Sequence, residues 1–216
     1  MKKLALLPLL LLSLAAHADE REWIPYKKLV EASKLDKFYA MPAVERDKLS
    51  IYLQLRFKNK AINPGSVSLT VLHSGERQPI PVSADGRFPL VPNQKWIKEE
   101  ATTLLSVPPS EKAGFDYVIL TPLPEGQQWP YAPLMSSIDQ ANNAIGKLAG
   151  AFSLFAPKIK SVVFRFNKPA QLKVAGTVFN SDAKNEIKLK PESKWLKENP
   201  LIVASERPLE AELEDE

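Results

Sequence analysis

Alternation of apolar and polar positions is strongest over residues 49–57, where Leu49, Ile51, Leu53, Leu55 and Phe57 are separated by Ser50, Tyr52, Gln54 and Arg56. Only a strand with one buried face sorts side chains with this two-residue period. Weaker alternation predicts strands over 67–71, 80–82 and 88–90, the last two joined as a hairpin across Ala84-Asp85-Gly86. Further strands are predicted over 102–107, 115–121, 162–166, 172–178, 187–189 and 201–205, with a turn at Asn180-Ser181-Asp182. Near the C-terminus Leu209, Ala211 and Leu213 alternate with Glu210, Glu212 and Glu214, which predicts an edge strand whose acids discourage further pairing. Disorder is expected past Asp215.

Helical spacing predicts two other elements. The first runs over 23–39, with Pro25 in its first turn and Met41-Pro42 ending it. The second runs over 137–155, where Ile138, Ala141, Ile145, Leu148, Phe152 and Phe155 form one stripe. Ala144, Gly146, Ala149, Gly150 and Ala151 make this central helix thin, and two interior glycines cost about 1 kcal/mol each relative to alanine. Close packing on a sheet is the expected compensation. Between these elements, 121–133 holds four prolines and is expected to be a loop that presents Trp129 and Tyr131 outward.

One segment occurs nearly twice. Pro92, Lys95, Trp96, Lys98 and Glu99 recur in register as Pro191, Lys194, Trp195, Lys197 and Glu198, 99 residues later. The match extends to Leu90 with Leu189, Ser106 with Ser205 and Pro109 with Pro208, and Arg56 to Lys60 echoes Arg165 to Lys168. The chain has four tryptophans, so the pairing of two carries most of the weight. The expected fold class is α+β: two related β-rich modules arising by internal duplication, with an N-terminal helix and a central helix packed on a sheet face. The expected organisation is a signal peptide (1–18), a helical segment (19–43), module 1 (44–121), the proline loop and central helix (122–157), module 2 (158–213) and an acidic tail (214–216).

Composition adds a location. Lys2 and Lys3 precede an apolar run ending at Ala16-His17-Ala18, the layout of a cleaved secretory leader. Cleavage after Ala18 would release a chain starting at Asp19, and the short, leucine-rich leader points to the bacterial periplasm. No later apolar run approaches the ~20 residues that cross a bilayer. There is no cysteine, so an exported chain of this kind relies on its core and not on disulfides. The formal charge of +4 falls to +2 without Lys2 and Lys3, and setting aside the five acids of 209–216 leaves a body of +7, which favours anionic envelope surfaces over nucleic acid in that compartment.

The residues offer little catalytic chemistry. With His17 in the leader, His73 stands alone at a strand end, and no Gly-x-Ser-x-Gly elbow accompanies it. Ser181 to Lys184 fits Ser-x-x-Lys, but the partner motifs of penicillin-recognising enzymes are missing. No metal-ligand spacing or phosphate-binding glycine loop is present, so neither metal nor cofactor is expected. Trp129, Tyr131, Phe152 and Phe155 are the candidate ligand- or partner-binding residues. The leading expectation is a non-catalytic binding or assembly factor of the cell envelope, with an envelope protein, glycan or lipid as partner. A binder of lipid or another amphiphile under the central helix is the second reading, and a hydrolase of envelope polymers using paired carboxylates the third.

Overall fold

The computed structural model describes residues 20–150 and 156–215. The expected leader (1–18), Phe152, Phe155 and Glu216 lie outside the described residues. The first part supplies β1 (Arg21–Pro25), α1 (Tyr26–Ser33), α2 (Leu35–Ala40), β2 (Ser50–Phe57), β3 (Leu69–His73), β4 (Glu76–Ile80), β5 (Arg87–Phe88), α3 (Gln94–Lys98), β6 (Thr102–Leu105) and β7 (Ala113–Leu120). The second supplies β8 (Gln128–Pro130), α4 (Tyr131–Ala149), β9 (Ser161–Arg165), β10 (Gln171–Val174), β11 (Thr177–Asn180), β12 (Glu186–Leu189), α5 (Ser193–Glu198), β13 (Leu201–Ala204) and β14 (Glu210–Glu214). The architecture is a β-rich α+β fold with three antiparallel sheets among the described residues. Two have four strands, ordered β1-β6-β3-β4 and β8-β13-β10-β11, and the third has six, ordered β12-β9-β14-β7-β2-β5. The six-stranded sheet takes three strands from each side of the loop after β7, and one contiguous core spans Tyr26 to Leu213.

Alternation places β2 as the sequence requires, with Leu53 and Leu55 fully buried and Tyr52, Gln54 and Arg56 turned away from the core. The C-terminal strand departs from expectation. β14 is interior, paired to β9 on one side and to β7 on the other. Its acids do not repel neighbours because cations lie across the ladder. Arg165 Nη2 stands 3.0 Å from Glu212 and 3.1 Å from Glu214, Arg87 Nη1 2.6 Å from Glu210, and Lys188 Nζ 3.1 Å from Glu214.

The N-terminal helix also begins later than its spacing suggested. Trp23 and Ile24 belong to β1, and Trp23 Nε1 donates to the Ala113 carbonyl at 3.1 Å. Pro25, extended at φ −53° and ψ 135°, is the cap and not a helical residue. Lys34, with φ 51°, then breaks the run into α1 and α2. The proline-rich stretch is likewise less irregular than expected. It holds β8 at a sheet edge, where proline's missing N–H is tolerated, and α4 starts at Tyr131 with Pro133 in its first turn.

The tight hairpins lie elsewhere. β3 and β4 join across Ser74-Gly75, both with positive φ, and β10 and β11 join across Ala175-Gly176 in the same way. Ala84 to Gly86 instead belongs to a turn closed by Ser83 N–H donating to the Arg87 carbonyl at 2.8 Å, which carries the chain from β4 to β5 beside β2. Asp182 and Glu186 make the same contact at 3.0 Å on the way to β12.

A buried brace occurs on each side. Tyr26 is fully buried, its hydroxyl donates to the Val91 carbonyl at 3.1 Å and accepts from Asn93 N–H at 3.0 Å, and Trp96 meets its ring edge-on at 5.2 Å. Tyr131 is equally buried, donates to the Lys190 carbonyl at 2.9 Å, accepts from Glu192 N–H at 2.9 Å, and meets Trp195 edge-on at 5.5 Å. Burial raises both phenols above the ordinary 10.0, partly offset by the backbone hydrogen bond each accepts. Ser106 and Ser205 also act alike, each accepting through Oγ from the strand beside it. The echo at Arg56 does not follow this pattern: Leu55, not Phe57, makes the hydrogen bond that Phe166 makes.

The helix α4 buries Leu134, Met135, Ile138, Ala141 and Ala144. The expected role of its glycines is corrected. A Cβ on Gly146 or Gly150 would meet nothing within 4 Å, and Gly150 caps the helix at φ 57°. Close approach is carried by Ala141 and Ala144, and Gly150 is there for its backbone angle.

Candidate functional site

The seam between β7 and β14 has the fewest ladder pairs of any join in the six-stranded sheet. β7 pairs with β2 along all eight of its residues, from Phe57 opposite Ala113 to Ser50 opposite Leu120. With β14 it shares the Glu212–Leu120 pair and a 2.9 Å hydrogen bond from Thr121 N–H to the Ala211 carbonyl. Beyond Leu120 and Glu212 the strands part, and a cavity of about 730 Å³ opens between Tyr117 to Ile119 and Leu213 to Asp215.

Beside the two seam strands, its walls come from helices and from β2. α4 contributes Ala141, Ile145 and Leu148, which the helical stripe marks as one face, together with Ala144. Leu35 from α2 and Leu49 and Ile51 at the start of β2 face them. Lys34 ties the walls together: its left-handed backbone sits at the joint of α1 and α2, and its Nζ donates to the Leu148 carbonyl at 3.1 Å. That places a cation on the last carbonyls of α4, where the helix dipole favours one. Tyr117 is half-buried at the seam and donates its hydroxyl to the Ser33 carbonyl at 3.0 Å, and burial raises its phenol.

The lining also carries charged groups. Arg56 Nε lies 2.6 Å from Asp116, while Glu212, Glu214 and Asp215 line the opposite lip. Glu212 and Glu214 are both ion-paired with Arg165. Ser33, the hydroxyl at the inner wall, donates to the Val30 carbonyl at 3.0 Å and has no base beside it.

His73 lies apart, at the end of β3, and is 5 % exposed. Its Nε2 meets both Glu99 and, at 3.3 Å, Ser74 Oγ. A relay needs serine and acid on opposite ring nitrogens, so this cluster is a strand-end brace. The hydrogen bond from His73 holds the Glu99 carboxyl below its ordinary 4.5. Among the described residues no group of three His, Cys, Asp or Glu could hold a metal ion, and no helix is long and apolar enough to cross a membrane.

Trp129 and Tyr131 do not line the cavity. Trp129 is 1 % exposed, pairs with Ile202 across β8 and β13, and donates Nε1 to the Pro124 carbonyl at 3.0 Å. Tyr131 is the buried brace of α4. The outward display expected of both is corrected: their rings fill the core beneath the prolines, where each polar tip finds a carbonyl. Phe152 and Phe155 lie outside the described residues. Sequence reasoning missed Tyr117, Leu49, Ile51 and Leu213 as cavity residues. Their alternation marked them as strand, but nothing local records that two strands separate.

No curated protein and no solved structure matches this chain. A family model described as a protein of unknown function (DUF2987) matches residues 24–166, from β1 through β9, which is more than half of the sequence, and the chain belongs to that family.

Proposed function

We propose that this chain is an exported, non-catalytic binding protein of the bacterial cell envelope, and that its ligand carries an aliphatic chain seated in the cavity at the β7–β14 seam. The observation that carries the reading is the cavity: about 730 Å³, walled by aliphatic side chains of α4, α2 and β2, with a smaller set of charged groups in its lining. Ligand sites are typically 300–1,000 Å³ and mostly apolar with a few polar groups that orient the ligand. The leader-like N-terminus supports export. A hydrolase receives no comparable support, because the lip carboxylates Glu212 and Glu214 are bound up in ion pairs.

Full-length protein recovered from periplasm and sprayed under native conditions is expected to carry a bound amphiphile, with its mature N-terminus at Asp19. After delipidation it should take up a fluorescent fatty acid, and Leu148→Trp, which fills the cavity, should abolish uptake without lowering the melting temperature. Recovery only in the cytoplasm would overturn export. Absence of uptake by a correctly folded protein would overturn the ligand class.

We also infer that the two sides are copies of one unit, running from β1 to β7 and from β8 to β14. Support comes from the matching strand orders, the two Tyr–Trp braces and the Ser106 and Ser205 contacts. A profile of family sequences aligned with itself should set Trp96 on Trp195 and Tyr26 on Tyr131. Scattered registers would sink the idea.

A further inference from the structure

Of the six edges left by the three sheets, five carry a device against further pairing. β1 holds Arg21 and Glu22 and ends in Pro25; β4 holds Glu76, Arg77 and Pro79; β8 ends in Pro130; β12 holds Glu186 and Lys188. β5 is two residues long, with Arg87 paired to Glu210. Charge, proline and brevity are the usual means by which edges are kept from pairing. The sixth edge has none of them. β11 reads Thr177-Val178-Phe179-Asn180, pairs with β10 alone among the described strands, and leaves Val178 49 % exposed.

The hairpin geometry fixes what this edge offers. Ala175 and Gly176 have φ of 47° and 87°, a two-residue turn of the type that matches strand twist. In such a hairpin the flanking pair, Val174 and Thr177, is the hydrogen-bonded one, and the ladder then alternates. The N–H and C=O of Val178 therefore point away from β10, toward the open side.

We propose that β11 is a homotypic docking edge, pairing antiparallel with β11 of a second copy about a two-fold axis at Val178. In that register Val178 lies opposite its own mate and exchanges both hydrogen bonds with it, while Thr177 lies opposite Phe179. Directly opposed residues share a face, so the core-facing side of one sheet continues into that of the other. A two-fold places the same strand on both sides, which an uncharged strand tolerates and a charged one would not. Lys173, beside Val178 on β10, is kept from its mate by the two intervening strands. The exposed Leu201 on β13 extends the apolar character of this end of the sheet. An acidic or basic peptide partner would find no complementary charge on the strand itself.

The absence of cysteine makes the test clean. Sedimentation of the full-length protein should show a dimer that Val178→Lys converts to monomer with no drop in melting temperature. Val178→Cys under mild oxidation should give a disulfide-linked dimer, since opposed hydrogen-bonded residues stand about 5.5 Å apart between Cα atoms, within disulfide reach. Asn180→Cys should not, because it lies two residues from the axis and hence four residues along the strand from its mate, roughly 14 Å at about 3.4 Å per residue. A protein that stays monomeric, a dimer indifferent to Val178→Lys, or linkage at Asn180 in place of Val178 overturns the proposal. So does a monomer that captures a different protein along this edge.

Discussion

The two four-stranded sheets are joined in the same order, yet they treat their surroundings differently. In both, a tyrosine opens the helix after the first strand and locks under a tryptophan, with its hydroxyl satisfied by one carbonyl and one N–H. The outer strands diverge: β4 is charged and interrupted by Pro79, while β11 is neutral and continuous. The helices diverge as well, since α1 spans eight residues and α4 nineteen. A buried joint leaves few solutions for shape and hydrogen bonding, because a polar group orphaned there costs about 1–3 kcal/mol. An edge strand or a helix end facing solvent is free to change and to acquire a use.

The sharpest way to break that comparison is at the braces. Tyr26→Ala and Tyr131→Ala should each lower the unfolding free energy by about 3–5 kcal/mol in urea titrations, the range for deleting a buried ring. A difference of more than about 2 kcal/mol between them would mean that the braces are not equivalent. The phenylalanine variants should cost about 1–2 kcal/mol each, since one N–H loses its acceptor.

Next in size is a contrast across the six-stranded sheet. Arg165 on β9 opposes Glu186, and Gln54 opposes Arg87 at the matching place on β2. Arg165→Met removes the cation shared by Glu186, Glu210, Glu212 and Glu214, and should cost about 2–3 kcal/mol, below the full range for breaking a buried pair because the group is partly exposed. Gln54→Ala should stay within about 0.5–1 kcal/mol by the same measurement. Equal losses would show that the charge ladder does not distinguish the two sides.

Smaller effects separate the two glycines of α4. Gly150→Ala forces an L-residue to φ 57° and should destabilise by about 1–3 kcal/mol, whereas Gly146→Ala enters open space within the helix and should stabilise by about 0.4–1 kcal/mol. Thermal melts that shift in the same direction for both would refute this assignment. Last comes pH. The phenols of Tyr26 and Tyr131 are raised by burial, so their folded values exceed the unfolded value of about 10. The stability they contribute is then fully present below that pH and is lost as pH climbs through the folded values. Urea midpoints should fall at alkaline pH, and Tyr26→Phe and Tyr131→Phe should flatten the fall to similar extents.

How much of this was legible follows from range. β2, β6, β7 and β9 sit where alternation placed them, because period two is imposed by the strand's own pleat. The recurrence around Trp96 and Trp195 was visible, and the Pro25-Tyr26 and Pro130-Tyr131 dipeptides that complete each joint were equally present in the chain. They were passed over because each was read as local punctuation, a helix start in one case and a loop in the other. Trp129 and Tyr131 looked like a displayed pair for the same reason: prolines fix the backbone but do not say which side faces the core.

The chain by itself determined several of its strands, its freedom from disulfides, the stripe of α4 and the apolar identity of its core, since each depends on spacing and side-chain chemistry within a few residues. Tertiary structure alone decided that Glu210 to Glu214 form an interior strand, because the arginines that satisfy those acids lie on other strands. It alone decided that Arg87 returns to β2 and not to β4, and that β7 and β14 separate beyond Leu120 to leave a cavity. Which strand neighbours which, and where two neighbours part, is set by the summed packing of distant residues, and no local period encodes that sum.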